Sequence, residues 1–169
     1  PVINGLSDSF HPCQILADFM TIKEKKKTLK GLKIAWIGDG NNVCNSMIYG
    51  AALSGAKMSI ATPKGFEPDK STVKVSQNLT DIELTTDPLK AAKNADVIVT
   101  DTYSSIHNND SKRIKKFIPK YQVNDKIMDL AKKNAIFLHC LPAKRDQEVT
   151  SSVIDGPQSV VWDEAENRL

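Results

Sequence analysis

The chain has 169 residues, 40% of them hydrophobic and 25% charged, with a formal net charge of +3. That length fits one domain able to bury about 70% of its unfolded surface, and the composition is ordinary for a soluble globular protein. No apolar run approaches the roughly 20 residues needed to span a bilayer, and three cysteines without metal-type spacing argue against a disulfide framework or a zinc site.

His11-Pro12 opens the first helix, with Pro at the first helical position, where its missing N–H costs nothing. Ile15, Leu16, Phe19 and Met20 then give an apolar stripe as far as about residue 24. After a Lys-rich connector, Lys33-Ile34-Ala35-Trp36-Ile37 reads as a buried strand that breaks at Gly38-Asp39-Gly40. A helix over about 42–54 follows, ended by Gly55. Residues 57–61 form a second strand, 68–77 a helix and 82–85 a short strand. Asp87 caps a helix running to about residue 94, and Val97-Ile98-Val99-Thr100 is a strand leading straight into Asp101. Helical segments are expected at 111–117 and 124–134. A fifth strand begins at Phe137 and ends in His139-Cys140, and a helix plus loops complete the chain. Strands alternating with helices predict an α/β fold, a Rossmann-like three-layer αβα arrangement around a five-stranded parallel sheet.

The positive charge comes mainly from Lys-rich stretches at 23–30 and 111–120, with little aromatic interleaving. These read as solvated helix faces and linkers, so neither nucleic acid nor membrane is an expected partner. The odd number of cysteines favours a reducing compartment, hence the cytoplasm. An opening Pro1 in place of Met predicts a domain cut from a longer protein.

Three strand ends carry polar residues: Gly38-Asp39-Gly40-Asn41-Asn42, Asp101-Thr102-Tyr103-Ser104-Ser105 and His139-Cys140. Parallel strands place all three on one edge, where a small-molecule site is expected. A nicotinamide cofactor is disfavoured, because Val43 stands at the third glycine position of G-x-G-x-x-G and no acidic residue closes the second strand. Asn41 and Asn42 open a helix instead, where one can cap and the other bind a carboxylate or phosphate. His11, Gln14 and Asp18 fall near one helix face by their spacing. Taken alone, Cys140 would read as a buried structural cysteine.

The segments His11-Pro12-Cys13-Gln14-Ile15-Leu16-Ala17-Asp18, Gly38-Asp39-Gly40-Asn41-Asn42, Asp101-Thr102-Tyr103-Ser104-Ser105, His139-Cys140-Leu141-Pro142 and Glu164-Ala165-Glu166-Asn167-Arg168 occur in an order that resembles the ornithine carbamoyltransferases. The related aspartate branch typically lacks the Cys of His-Cys-Leu-Pro. The resemblance implies the second, ornithine-binding domain of a two-domain enzyme that makes citrulline and phosphate from L-ornithine and carbamoyl phosphate. It implies no cofactor and no metal. By position, Asn42, Asp101, Ser105, Ile106 and Leu141 would bind ornithine. His11, Gln14, Cys140, Leu141 and Arg168 would meet carbamoyl phosphate, with His11, Cys140 and Arg168 closest to the chemistry.

Ile106-His107 replaces the usual Met-Gly, which puts loop closure and amine preference in question. Residues 1–169 are expected to be a single ornithine-binding domain without the carbamoyl-phosphate domain or the final helix, and therefore inactive alone. The whole enzyme is expected to be a homotrimer, in the cytoplasm or in a mitochondrial matrix; the isolated domain is compatible with a monomer. The alternatives are a carbamoyltransferase for another amine such as putrescine, or a non-catalytic amino-acid-binding module.

Overall fold

Five short apolar strands build the centre of the molecule: Lys33–Ile37 (β1), Lys57–Ala61 (β2), Ile82–Thr85 (β3), Val97–Thr100 (β4) and Ile136–His139 (β5). A computed structural model of the chain describes residues 1–104 and 111–169. The strands form one sheet in the order β3-β2-β1-β4-β5, and every pairing is parallel. Eight helices accompany them among the described residues: Pro12–Lys26 (α1), Asn42–Ser54 (α2), Lys70–Ser76 (α3), Pro88–Ala92 (α4), Ser111–Ile114 (α5), Asp125–Leu130 (α6), Ser151–Ile154 (α7) and Val161–Glu166 (α8).

Alternate residues along each strand face opposite sides, so the sheet buries two cores. Ile34 and Trp36 of β1 pack with α1, α2 and Val73 of α3. Ala35 and Ile37 pack with α4, α6 and α7. This is the expected three-layer α/β arrangement, and the five strands lie where the apolar runs placed them.

The helix ends follow local chemistry. Gly55 stops α2 with φ 74°, a left-handed conformation that glycine adopts without steric cost. Asp69 caps α3 by accepting from the Thr72 N–H at 2.7 Å, so that helix begins at Lys70, two residues later than the expected start. Asp87 caps α4 as expected, but α4, α5 and α6 are all shorter than their predicted segments. The tail beyond β5 contains two short helices, where one was expected.

The stripe on α1 is corrected. Ile15, Phe19 and Ile22 are buried, whereas Leu16 is 71% and Met20 52% exposed. Apart from Ala17, the rest of the inward face is polar: Gln14, Asp18 and Thr21 are all buried. This helix packs against both α2 and α8, and its α8 side is a hydrogen-bonded seam that apolar periodicity cannot reveal.

Gly40, in the turn after β1, lies against the loop before α3. A Cβ there would sit 2.2 Å from Pro68 N and 2.5 Å from the Glu67 carbonyl carbon, both backbone atoms that cannot rotate away. Gly40→Ala is therefore expected to destabilise the chain by about 1–3 kcal/mol. A urea denaturation midpoint equal to wild type would contradict this account of the turn.

Candidate active site

The sheet order reverses direction between β1 and β4, and a crevice opens beyond the carboxyl ends of the strands at such a switch point. Asp101 leaves β4 into that crevice. Its carboxylate is buried and accepts three hydrogen bonds: from Asn41 Nδ2 at 2.6 Å, Thr102 N at 2.7 Å and Cys140 Sγ at 3.0 Å. The turns after β1, β4 and β5 thus meet at one carboxylate.

The two asparagines divide their work. Asn41 Oδ1 caps α2 by accepting from Val43 N and Cys44 N, both at 3.1 Å. Asn42 turns its amide toward the crevice mouth, where Nδ2 donates to the Ser7 carbonyl at 2.8 Å.

A pocket of about 480 Å³ occupies the crevice. Its walls include His11, Gln14, Asn42, Asp101, Cys140, Leu141 and Arg168, all singled out by sequence. Ser105 and Ile106, the other two candidates, lie outside the described residues, as does His107. Thr102, Ser104 and Lys144 also line the pocket, and none was assigned a role from sequence. Lys144 Nζ donates to Ser104 Oγ at 2.6 Å, which holds its side chain at the pocket lining. The only sequence signal for it was a lysine two residues past His-Cys-Leu-Pro. A neighbouring groove of about 500 Å³ includes Pro142, Arg145 and Trp162. Its charged member, Arg145, is paired with Asp155, which leaves that groove little polar chemistry.

His139, carried to the same sheet edge, does not present its ring to the pocket. The side chain is fully buried and does not line the pocket. Its Nδ1 accepts from Leu141 N at 2.9 Å, so the ring proton sits on Nε2, which faces Glu148 Oε1 at 3.2 Å. The imidazole braces the turn in which Leu141 takes a positive φ of 52°. Asp101, His139 and Cys140 do bring ligand atoms within 4.8 Å of one another. Each already has a protein partner, so a cation held there would have to break bonds that support the turn.

Charge states are set by burial. Cys140 is pushed well above the usual thiol range by desolvation and then by Asp101, so it remains a neutral S–H donor. Desolvation and the positive Arg168 hold His11 below the ordinary imidazole range. His11 Nδ1 is buried without a hydrogen-bond partner among the described residues. Behind the pocket wall, Gln14 Nε2 donates to Asp18 Oδ1 at 2.7 Å and Glu164 Oε1 at 3.0 Å, while its Oε1 accepts from Arg168. Burial raises Asp18 to about 7 and Glu164 well above the usual carboxyl range. On the outer side Asp39, raised to about 6 by desolvation against the opposing pull of Arg113, pairs with that arginine.

Comparison with known proteins places this geometry in context. Residues 30–169 match the Asp/Orn binding domain of aspartate/ornithine carbamoyltransferases, and residues 1–24 match the carbamoyl-P binding domain. The chain belongs to the aspartate/ornithine carbamoyltransferase family. It is 63% identical over 169 residues to an ornithine carbamoyltransferase of Cenarchaeum symbiosum, covering 100% of this chain and 56% of that protein. It is 53% identical over 177 residues to that of Methanococcus aeolicus, covering 100% and 58%. Among solved structures, the Pyrococcus furiosus ornithine carbamoyltransferase superposes with a TM-score of 0.95 at 52% identity, covering 100% of this chain and 56% of that one. The Thermus thermophilus enzyme gives 0.91 at 44%, covering 100% and 55%. The chain thus spans about half the length of the curated relatives it matches.

The charge states of this pocket have two testable consequences. Cys140 should react with iodoacetamide at pH 7.5 more slowly than a free cysteine, because the thiolate is the reacting species. Asp101→Asn removes the adjacent anion and should accelerate alkylation severalfold. Peptide-resolved mass spectrometry distinguishes Cys140 from the half-buried Cys13, and an unchanged rate in the variant would count against the Asp101–Cys140 coupling.

The second concerns stability. Asp18 ionises more readily unfolded than folded, so its contribution is complete below about pH 4 and is lost as pH rises through about 7. Wild type should lose more stability than Asp18→Asn between pH 5 and pH 8, by at least about 2 kcal/mol, because the variant also relieves the neighbouring Glu164. Asp39 remains in the variant, so the slope shrinks without vanishing. Equal slopes in paired urea titrations would refute the assignment.

Proposed function

We propose that this chain is the amino-acid-binding unit of an enzyme that transfers the carbamoyl group of carbamoyl phosphate to the δ-amino group of L-ornithine, giving L-citrulline and phosphate. The observation that carries this reading is the convergence of Asp101, Cys140, His11, Gln14 and Arg168 on one pocket at the β1/β4 switch point. Ornithine brings an α-ammonium, an α-carboxylate and a side-chain amine. Asp101 complements the ammonium, and the Asn42 amide complements the carboxylate. Ser105 and Ile106 would complete that end, with Leu141 and Cys140 along the side chain. His11 and Gln14 would hold the carbamoyl group, and Arg168 the phosphate-bearing end.

The attacking amine must first lose a proton. From a Lys-like pKa of about 10.4 this costs roughly 4–5 kcal/mol at pH 7. Burial of the amine beside the neutral Cys140 thiol lowers that cost, because desolvation disfavours the ammonium. The amine nitrogen then bonds to the carbamoyl carbon, and a tetrahedral oxyanion forms. Donors placed by His11 and Arg168 stabilise it until the C–O bond to phosphate breaks, and phosphate leaves with the electron pair and takes up the excess proton of the newly bonded nitrogen. Holding two substrates in register contributes much of the remaining acceleration. No covalent enzyme intermediate is needed, which suits a thiol kept protonated.

In this reading the chain acts within a larger protein whose other domain supplies a phosphate-binding loop, so residues 1–169 alone form no citrulline. The complete enzyme is a cytoplasmic homotrimer of arginine metabolism. No helix among the described residues is long and apolar enough to cross a membrane.

The test is a citrulline assay on the complete gene product, with ornithine and putrescine compared. Ornithine should be preferred. Asp101→Ala should lower kcat/KM for ornithine by about a hundredfold or more, mostly through KM, as expected when a buried charged partner is removed. Preference for putrescine would overturn the substrate, and inertness toward every amine would favour a binding module.

A further inference from the structure

Asp18 and Gln14 stand one turn apart on α1, and Glu164 faces them from α8. All three side chains are about 1% exposed. Both amide hydrogens of Gln14 are taken, one by Asp18 Oδ1 and one by Glu164 Oε1. The amide therefore cannot flip: its NH₂ points inward and its oxygen outward, where it accepts from Arg168 at the pocket. The second oxygen of Glu164 accepts from His139 N at 2.9 Å, at the last residue of β5 and directly before Cys140. The same two carboxyls thus hold both a pocket amide and the strand end that carries the pocket thiol.

Two adjacent buried carboxylates cannot both remain charged. Their repulsion is not screened by water, and each is desolvated. Asp101, from the end of β4, adds a further negative field at both groups, while Arg168, beyond α8, acts on Asp18 in the opposite sense. The Cys140 thiol and the His11 imidazole, the other titratable groups at this wall, are respectively held protonated and lowered. Gln14 Nε2 holds one oxygen of each carboxyl, at 2.7 and 3.0 Å, which sets the two groups side by side, and burial raises both above the ordinary carboxyl range.

We propose that Asp18 and Glu164 share a single proton and act together as positioning residues, locking the Gln14 amide with its oxygen toward Arg168 while fixing the strand end that carries Cys140. The pair touches no substrate; it works through Gln14 and the His139 backbone. With one proton the pair carries one negative charge, presents acceptors to the Gln14 NH₂ and the His139 N–H, and leaves one orientation for the amide. The kinetic consequence rests on the carbamoyl-transfer reading above, whereas the shared proton does not.

The substitutions separate geometry from mere packing. Asp18→Asn keeps every bond: its oxygen accepts from Gln14, and its NH₂ donates to a Glu164 that is then ionised. Asp18→Ala removes an acceptor and lets Gln14 turn. In the complete gene product, Asp18→Asn should retain kcat within about threefold, and Asp18→Ala should lose more than about tenfold with KM for ornithine nearly unchanged. Circular dichroism confirms folding of each variant. Infrared difference spectra at pH 8 provide the independent readout. A protonated-carboxyl C=O stretch should be present in wild type and absent in both Asp18→Asn and Glu164→Gln.

Absence of that band in wild type would overturn the proposal, as would an equal loss of kcat in Asp18→Asn and Asp18→Ala. A wild-type protein that forms no citrulline would remove the transfer reading alone, and the infrared band would then decide whether the proton is shared.

Discussion

The site depends on one buried carboxylate. Asp101 sits at the carboxyl end of a central strand and satisfies its charge with donors from three separate segments. An isolated carboxylate in that position would be strongly unfavourable, whereas one with three donors is tolerated. Those donors come from the cap of α2, the turn after β4 and the thiol after β5, so satisfying Asp101 also assembles the crevice. The Asn41 amide shows how closely fold and site are joined: its oxygen starts a helix and its nitrogen holds the carboxylate. Structural and binding demands are met by the same side chain.

Around that carboxylate the protein gathers more acids than it can leave charged. Asp39 is paired with Arg113, whereas Asp18 and Glu164 meet on the amide of Gln14. The difference follows from depth. Arg113 reaches Asp39 from the surface and covers the Phe66 ring at 4.8 Å, keeping its guanidinium partly wet. Among the described residues no lysine or arginine forms an ion pair with Asp18 or Glu164, and in the proposed arrangement a proton takes the place of the cation. Arg168 is left to face the pocket through Gln14, where an incoming anion would meet it.

The strands were legible because each is short, apolar and closed by a glycine, proline or acidic residue, and a buried parallel sheet needs little else. The shared edge followed from the parallel sheet, and Asp101 and Cys140 could be paired from it. What could not be read was which way a side chain turns within a polar turn. Asn41 and Asn42 are chemically identical, and only the backbone geometry of the helix start makes the first the cap. His139 ends β5 and Cys140 follows it, and successive residues of an extended chain point to opposite sides, so one of them had to turn away from the pocket; burial beside Glu148 decided which. The α1 stripe failed for a related reason. Leu16 and Met20 satisfy helical periodicity as well as Ile15 and Phe19 do, but the helix spends part of its inward face on polar residues. Lys144 was missed because a lysine after a proline turn looks like any solvated lysine until Ser104 is found beside it.

The protonated thiol constrains the chemistry that this pocket can support. A nucleophilic cysteine needs a nearby cation or a helix N-terminus to hold it as thiolate. Cys140 has the opposite surroundings, with Asp101 accepting its proton bond and Asp18 and Glu164 adding to the negative field. In the carbamoyl-transfer reading the group must therefore pass directly from one bound molecule to the other, without an S-carbamoyl intermediate on Cys140. In such a reaction rate depends on the alignment of donors and acceptors more than on an activated side chain. A pocket whose Gln14 amide cannot flip, whose neighbouring His139 ring is turned away into the fold and whose thiol stays neutral is arranged for positioning.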